Sequence, residues 1–203
     1  MAKLATRLLQ AAILVVALHT LARAQSEAPR QCGYDRWPVK TLNDRDRNRV
    51  NFAPVGATVA DLSAIQIHQI PYPHDRRVQP EELRVYRVRA RLIEVRREHD
   101  SDLHLIIADL DKAYMRMIAE IPTPQCAEGS GHEDDYRRAR MALSKISPGS
   151  VIEIVGVGFF DFLHDAKGGA RNGIELHPIL RVSVFREPSS QASTWSKSHS
   201  NRR

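Results

Sequence analysis

A mainly β fold (α+β), five strands closing into a small barrel with one helix between the third and fourth, is predicted by three features of this sequence. Tyr86, Val88, Ala90 and Leu92 alternate with Arg87, Arg89 and Arg91 along one long strand. Four shorter apolar runs follow, each bounded by turn residues. Among them a single stretch, after Ser130, carries helical spacing, so the strand–helix alternation of a parallel α/β sheet is absent.

Leu83–Glu98 is the expected first strand. Its alternation slips at Leu92-Ile93 and Val95 resumes the apolar face, the pattern of a long strand that bulges and turns from one sheet into the next. Asp102–Asp109 follows with Leu103, Leu105 and Ile107 inward, and Leu110-Asp111-Lys112 connects it tightly to Tyr114–Ile121, which predicts a hairpin. Ser130 and Glu133 stand at capping-box spacing ahead of Tyr136, Ala139, Leu143 and Ile146. Early acidic residues there give way to Arg137, Arg138, Arg140 and Lys145, as the helix dipole favours. Pro148-Gly149 ends this helix, and Val151–Asp161 and Ile174–Phe185 are the last strands, joined by a Gly-rich loop. Three strands, a helix and two strands, the first long and bulged, is the order of an oligonucleotide/oligosaccharide-binding (OB) barrel.

Outside the barrel, at 83–186, lie three other segments. Met1–Ala24 reads as a secretory signal peptide: basic Lys3 and Arg7, an apolar run from Leu8 to Leu21, and Ala22-Arg23-Ala24 for cleavage. The alternative is an uncleaved anchor; the run is short and interrupted by Gln10 and His19, and no later segment has membrane-spanning length. Gln25–Glu82 is polar and Pro-rich, an irregular wrap with one short helical pattern, Thr58–Ile65, begun by Thr58 with Asp61 three residues on. Glu187–Arg203 is Ser-rich and reads as a flexible tail. An exported protein, periplasmic or secreted, is in an oxidising compartment, so Cys32 and Cys126 are expected to pair. That bridge is worth about 4 kcal/mol in the chain-entropy model and ties the wrap to the barrel; a free pair or an intermolecular bridge is the alternative.

Charge limits the partners. Of 30 basic and 24 acidic residues, Lys3, Arg7 and Arg23 leave with the signal, and Lys197, Arg202 and Arg203 lie in the tail. The small remaining surplus does not indicate a field that collects nucleic acid. Tyr114 is the only aromatic on the second and third strands, where such barrels stack bases. Phe159, Phe160 and Phe162 are expected to close a barrel end. Nucleic acid stays open only through the Arg87–Arg91 stripe, which also suits a soluble strand face.

Three clusters could carry chemistry. Asp100 and Asp102 could hold Ca²⁺ or another divalent cation with His104 adding an imidazole, or Asp100-Ser101 makes the turn and Asp102 caps it. Glu175 and His177 point together, away from Ile174 and Leu176. In an OB barrel the last strand lies beside the third, so Glu175, His177, Glu120, Arg116 and His104 would gather on adjoining strands. The loop 162–173 offers Lys167, Arg171 and glycines suited to an anion.

The segments HDSDLHLIIADL, MIAEIPTPQC, VGVGFFDFLH and NGIELHPIL resemble a family of uncharacterised secreted bacterial proteins over about Cys32–Val182, a resemblance that implies export and a common barrel. Asp100-Ser101-Asp102, Arg116 and Asp165–Arg171 more loosely resemble the thermonucleases, also secreted OB barrels. That resemblance implies Ca²⁺ on Asp100 and Asp102, charge stabilisation by Arg116 and Arg171, and water activation by Glu120. Ser101 stands in place of that family's Gly, and the spacing from Arg116 to Glu120 differs. The sequence therefore suggests an exported binding module for an anionic or polymeric ligand through His104, Glu175, His177 and Lys167. The alternatives are a metal-dependent nuclease and a structural envelope protein acting through protein contacts, which predicts a broad exposed apolar patch.

Overall fold

The computed structural model describes residues 31–67, 72–162 and 167–186. The expected signal peptide, the tail, and His164 and Asp165 lie outside the described residues. The barrel strands are β2 (Arg84–Arg97), β3 (Leu103–Ala108), β4 (Arg116–Ile121), β5 (Val151–Phe160) and β6 (Ile174–Val184). They form one sheet in the order β2-β3-β4-β6-β5, closed by pairing of β2 with β5. β4 and β6 run parallel and the other barrel pairs antiparallel, so the architecture is the OB-like barrel expected from the element order.

Closure depends on the length of β2. Its first half, Val85 to Arg91, pairs with β5, and its second half, Arg91 to Arg97, pairs with β3. The register shifts between Leu92 and Glu94, where the alternation slips in the sequence. Inward residues of all five strands, among them Val88, Leu92, Leu105, Ile107, Met117, Ile152, Ile154 and Leu176, make the main core. Each fully buried Leu or Ile contributes about 1.5–3 kcal/mol. A helix, Glu133–Leu143, packs Tyr136, Ala139 and Leu143 into the same core.

That helix begins differently from the expected Ser130–Glu133 capping box. His132 is the N-cap and its side chain makes no capping bond. Ser130 Oγ accepts from the His132 N–H instead, and the Glu133 carboxylate turns back to the Gly129 N–H at 2.7 Å.

The segment before the barrel is more ordered than its composition suggests. Trp37–Lys40 forms a helical turn, α1. Asn51–Ala57 forms β1, parallel to β2, with six of seven residues exposed. Without a buried face it has no apolar alternation to read. The helix Val59–Ser63, α2, has the expected box, with the Thr58 hydroxyl accepting from the Asp61 N–H and the Asp61 carboxylate accepting from the Thr58 N–H. The Glu133–Leu143 helix is therefore α3. Cys32 and Cys126 are disulfide-bonded, 94 residues apart in sequence.

Two buried guanidinium groups hold this segment down. Arg77 grips Asp44 through Nε and Nη2, both side chains fully buried, and also donates to the carbonyls of Glu82 and Val39. Arg36 meets Glu82 at 2.6 Å and donates to the carbonyls of Phe160 and Arg76. Removing one partner of such a pair leaves an uncompensated buried charge. Arg77→Met is expected to lower unfolding free energy by about 3–5 kcal/mol in denaturant titration. Adding Asp44→Leu to it recovers part of that loss.

Asp109 ties α2 to the β3–β4 hairpin, accepting from the N–H groups of Ala60, Asp111 and Lys112. Burial alone would raise its pKa, but these bonds lower it below 3.8. Its stabilising contribution is therefore complete above the unfolded value of 3.8 and is lost as the pH falls through the lower folded value. Asp109→Asn should be less stable by about 0.5–2 kcal/mol at neutral pH, with a shallower fall in melting temperature on acidification below the unfolded value.

Candidate functional site

The register of three strands assembles the polar cluster. His104 on β3 lies opposite Glu120 on β4, and β4 runs beside β6 with Ile118 opposite Glu175. Alternation then places His104, Glu120, Glu175 and His177 on the side away from the main core. That side is not open to solvent: His177 is 0% exposed and Glu175 5%. The α1 region covers it, with Arg36 and Lys40 over the Phe159 ring and His177 against that ring's edge at 5.6 Å. Phe159 thus faces the polar cluster; of the three phenylalanines expected at a barrel end, Phe160 joins the main core and Phe162 is 46% exposed.

Asp102 enters from the turn between β2 and β3. Asp100 Oδ1 accepts from the Asp102 N–H while Ser101 takes φ 72°, a tight turn with Asp100 as its side-chain acceptor. Asp102 points inward, where its Oδ1 accepts from the Thr123 N–H at 2.9 Å and its Oδ2 lies 3.4 Å from His177 Nε2. The other imidazole nitrogen lies 3.2 Å from Glu120 Oε2. Glu120 Oε1 meets His104 Nδ1 at 2.6 Å, and because an ionised carboxylate only accepts, the imidazole donates. Asp102 Oδ2, both nitrogens of His177, His104 Nε2 and Glu175 Oε2 are buried without a hydrogen-bond partner.

The carboxyl groups are driven apart electrically. Burial works to raise Glu120, yet the His104 hydrogen bond and the fields of His177 and Lys40 bring it down to about 2. Burial raises Asp102, and Asp100 and Glu120 add to the rise against the opposing pull of His177. Glu175 is raised well above 4.5 by burial, with Glu120 and Asp161 adding, which favours its neutral form. Lys40 sits 3.1 Å from Asp161. Burial opposes its charge, but Asp161, Glu175 and Glu120 prevail and its pKa is raised.

Above this floor opens a cleft of about 430 Å³. Gln31–Tyr34 and Lys40 form one wall, Arg96 and Glu98–Asp100 another, Asp161 and Lys167 a third, with His104, Glu120 and Glu175 below. The structure thus brings together Asp100, His104, Glu120, Glu175 and Lys167 in the lining, with Asp102 and His177 behind Glu120. Arg116 is exposed at the other end of β4, opposite Ala108, and Arg171 is exposed; neither lines the cleft. Tyr114 is 81% exposed and also stands away from it. Lys40, Asp161 and Arg36 were not foreseen in the sequence, where the two cations fall in a segment without periodicity.

No family model matches the chain, and no curated protein matches it. Among solved structures, a putative aspartyl-tRNA synthetase from Leishmania major Friedlin is similar with a TM-score of 0.40 and 13% identity over 68% of this chain. The match spans 22% of that protein's length.

Proposed function

We propose that this protein is an exported binding module whose ligand is a small anionic molecule, or the anionic end of a polymer, seated in the cleft. The observation that carries this reading is the position of the cleft. In OB barrels, ligands lie on the second and third barrel strands between the loop joining strands one and two and the loop joining strands four and five. Here the lining comes from β3 and β4, the β2–β3 turn at Glu98–Asp100, and the β5–β6 connection at Asp161 and Lys167. The dimensions agree with this placement, since about 430 Å³ falls in the range of small-molecule sites.

The lining selects the ligand class. Asp161 is met by Lys40, and Glu175 is driven towards its neutral form. Lys167 and Arg96, the latter bonded through Nε and Nη2 to Glu94, stand at the mouth beside Glu98, Asp100 and Glu120. Such a mixed rim suits a molecule with an anionic group next to hydroxyl donors, as in an acidic sugar. Among the described residues Tyr34 is the one Phe, Tyr or Trp in the lining, which disfavours a run of stacked bases.

The nuclease reading needs Arg116 and Arg171 on the same phosphate as Asp100, Asp102 and Glu120, and their positions favour binding over that chemistry. The large exposed apolar side chains among the described residues, including Phe52, Leu110, Met141 and Phe162, come from different elements, which gives little support to an envelope scaffold. Export is supported by the disulfide, and among the described residues no helix is long and apolar enough to cross a membrane.

Calorimetric titration with oligogalacturonate, a neutral galactose oligomer and oligothymidylate tests the reading. Oligogalacturonate should bind, and Lys167→Glu or Arg96→Glu should weaken it at least about tenfold without lowering the melting temperature. Equal binding of the neutral sugar, or tighter binding of the oligonucleotide, contradicts it.

A further inference from the structure

We infer that Asp102, Glu120 and His177 form a binding site for one first-row divalent cation of the Zn²⁺ or Mn²⁺ class, at the base of the cleft. One carboxylate oxygen from each acid and one imidazole nitrogen lie within 4.8 Å of one another. Metal–ligand bonds of about 2.0–2.2 Å put two ligands at most about 4.4 Å apart, so a shared ion draws these atoms together by a few tenths of an ångström or more. The three residues come from the β2–β3 turn, β4 and β6, so the barrel itself sets their separation.

Independent support comes from buried polar atoms that lack a hydrogen-bond partner. His177 is 0% exposed, and neither of its nitrogens has a hydrogen-bond partner; Asp102 Oδ2, facing it, has none either. An unsatisfied buried polar group costs about 1–3 kcal/mol, and these are gathered at one point. Nε2 faces Asp102 Oδ2 at 3.4 Å and Nδ1 faces Glu120 Oε2 at 3.2 Å, both longer than the about 2.7–2.9 Å of a charge-assisted hydrogen bond. A divalent cation accepts a lone pair from the imidazole and from both carboxylates at once and offsets their mutual repulsion.

The surrounding groups orient the ligands. Thr123 N–H holds Asp102 Oδ1, which leaves Oδ2 turned to the site. His104 holds Glu120 Oε1, leaving Oε2 beside His177. Outer hydrogen bonds of this kind are what fix metal ligands in place. One imidazole with two carboxylates suits Zn²⁺ or Mn²⁺, while Ca²⁺ prefers six to eight oxygens. Asp100, spent on the turn, is outside the group. Glu120 belongs both to the group and to the cleft lining, so an ion here would have its open side towards the cleft.

The purified protein, treated with chelator and freed of it, is titrated calorimetrically with Zn²⁺, Mn²⁺ and Ca²⁺ in the absence of any organic ligand, so the outcome is separate from the sugar reading above. One equivalent of Zn²⁺ or Mn²⁺ should bind and raise the melting temperature, with Ca²⁺ at least about 100-fold weaker. His177→Gln and Asp102→Asn should weaken binding at least about 100-fold, and His104→Ala, a positioning change, about 10–100-fold. Asp100→Asn should bind as the unaltered protein does. Absence of saturable one-to-one binding, or affinity retained in His177→Gln, overturns the inference; loss in Asp100→Asn alone would move the ion to the turn and overturn it too. X-ray absorption of the Zn²⁺-loaded unaltered protein gives a reading independent of variant folding: a nitrogen/oxygen shell with one imidazole is expected, and two imidazoles or none contradicts the site.

Discussion

The carboxylate of Glu82 is the point on which the N-terminal segment turns. It takes Arg36 on both oxygens, the N–H groups of Val78 and Gln79 on one, and the Phe160 N–H on the other. Its own carbonyl receives Arg77, which holds Asp44. Three separated stretches of chain, 36–44, 77–82 and the end of β5 at Phe160, therefore converge on one buried ionic network. Buried ion pairs add little net stability over well-packed apolar groups, but they penalise every arrangement that leaves a member unpaired. Here that specificity fixes where a segment with little regular structure must lie.

The chemistry of the cleft follows from that placement. With α1 seated, Arg36 and Lys40 lie over Phe159, and the outer face of β4 and β6 becomes interior. Desolvation then raises Asp102 and Glu175, while Glu120, bonded to His104, is held down. Without the covering segment Glu120 and Glu175 would lie on the outer face of β4 and β6. Such divergent behaviour among neighbouring acids marks places where a fold binds or reacts.

The barrel was readable because its strands have one consistently apolar face. The slip at Leu92-Ile93 located the corner of β2, and the expected neighbourhood of the third and fifth barrel strands placed Glu120 near Glu175 and His177. The covering layer was not readable for an equally physical reason. Its anchors are Arg36, Asp44, Arg77 and Glu82, charged residues that in sequence look solvated, and β1 exposes both faces. The capping pattern at Ser130 misled because both side chains found other backbone donors nearby. Glu175 and His177 were expected opposite the core, but that this side would be covered depends on contacts far apart in the chain.

Native-state amide exchange, resolved by residue, tests the central claim most directly: that the segment from Arg36 to Val50 folds as one unit with the barrel. The account predicts that the bonded amides of Lys40, Thr41 and Asn43 open with nearly the same free energy as those of β3 and β4, and that Arg77→Met lowers both together. Opening of the segment at much lower free energy, with the barrel still protected, would contradict it: the cover would then be a loosely attached flap, and the buried state of the cleft floor would not be a property of the fold.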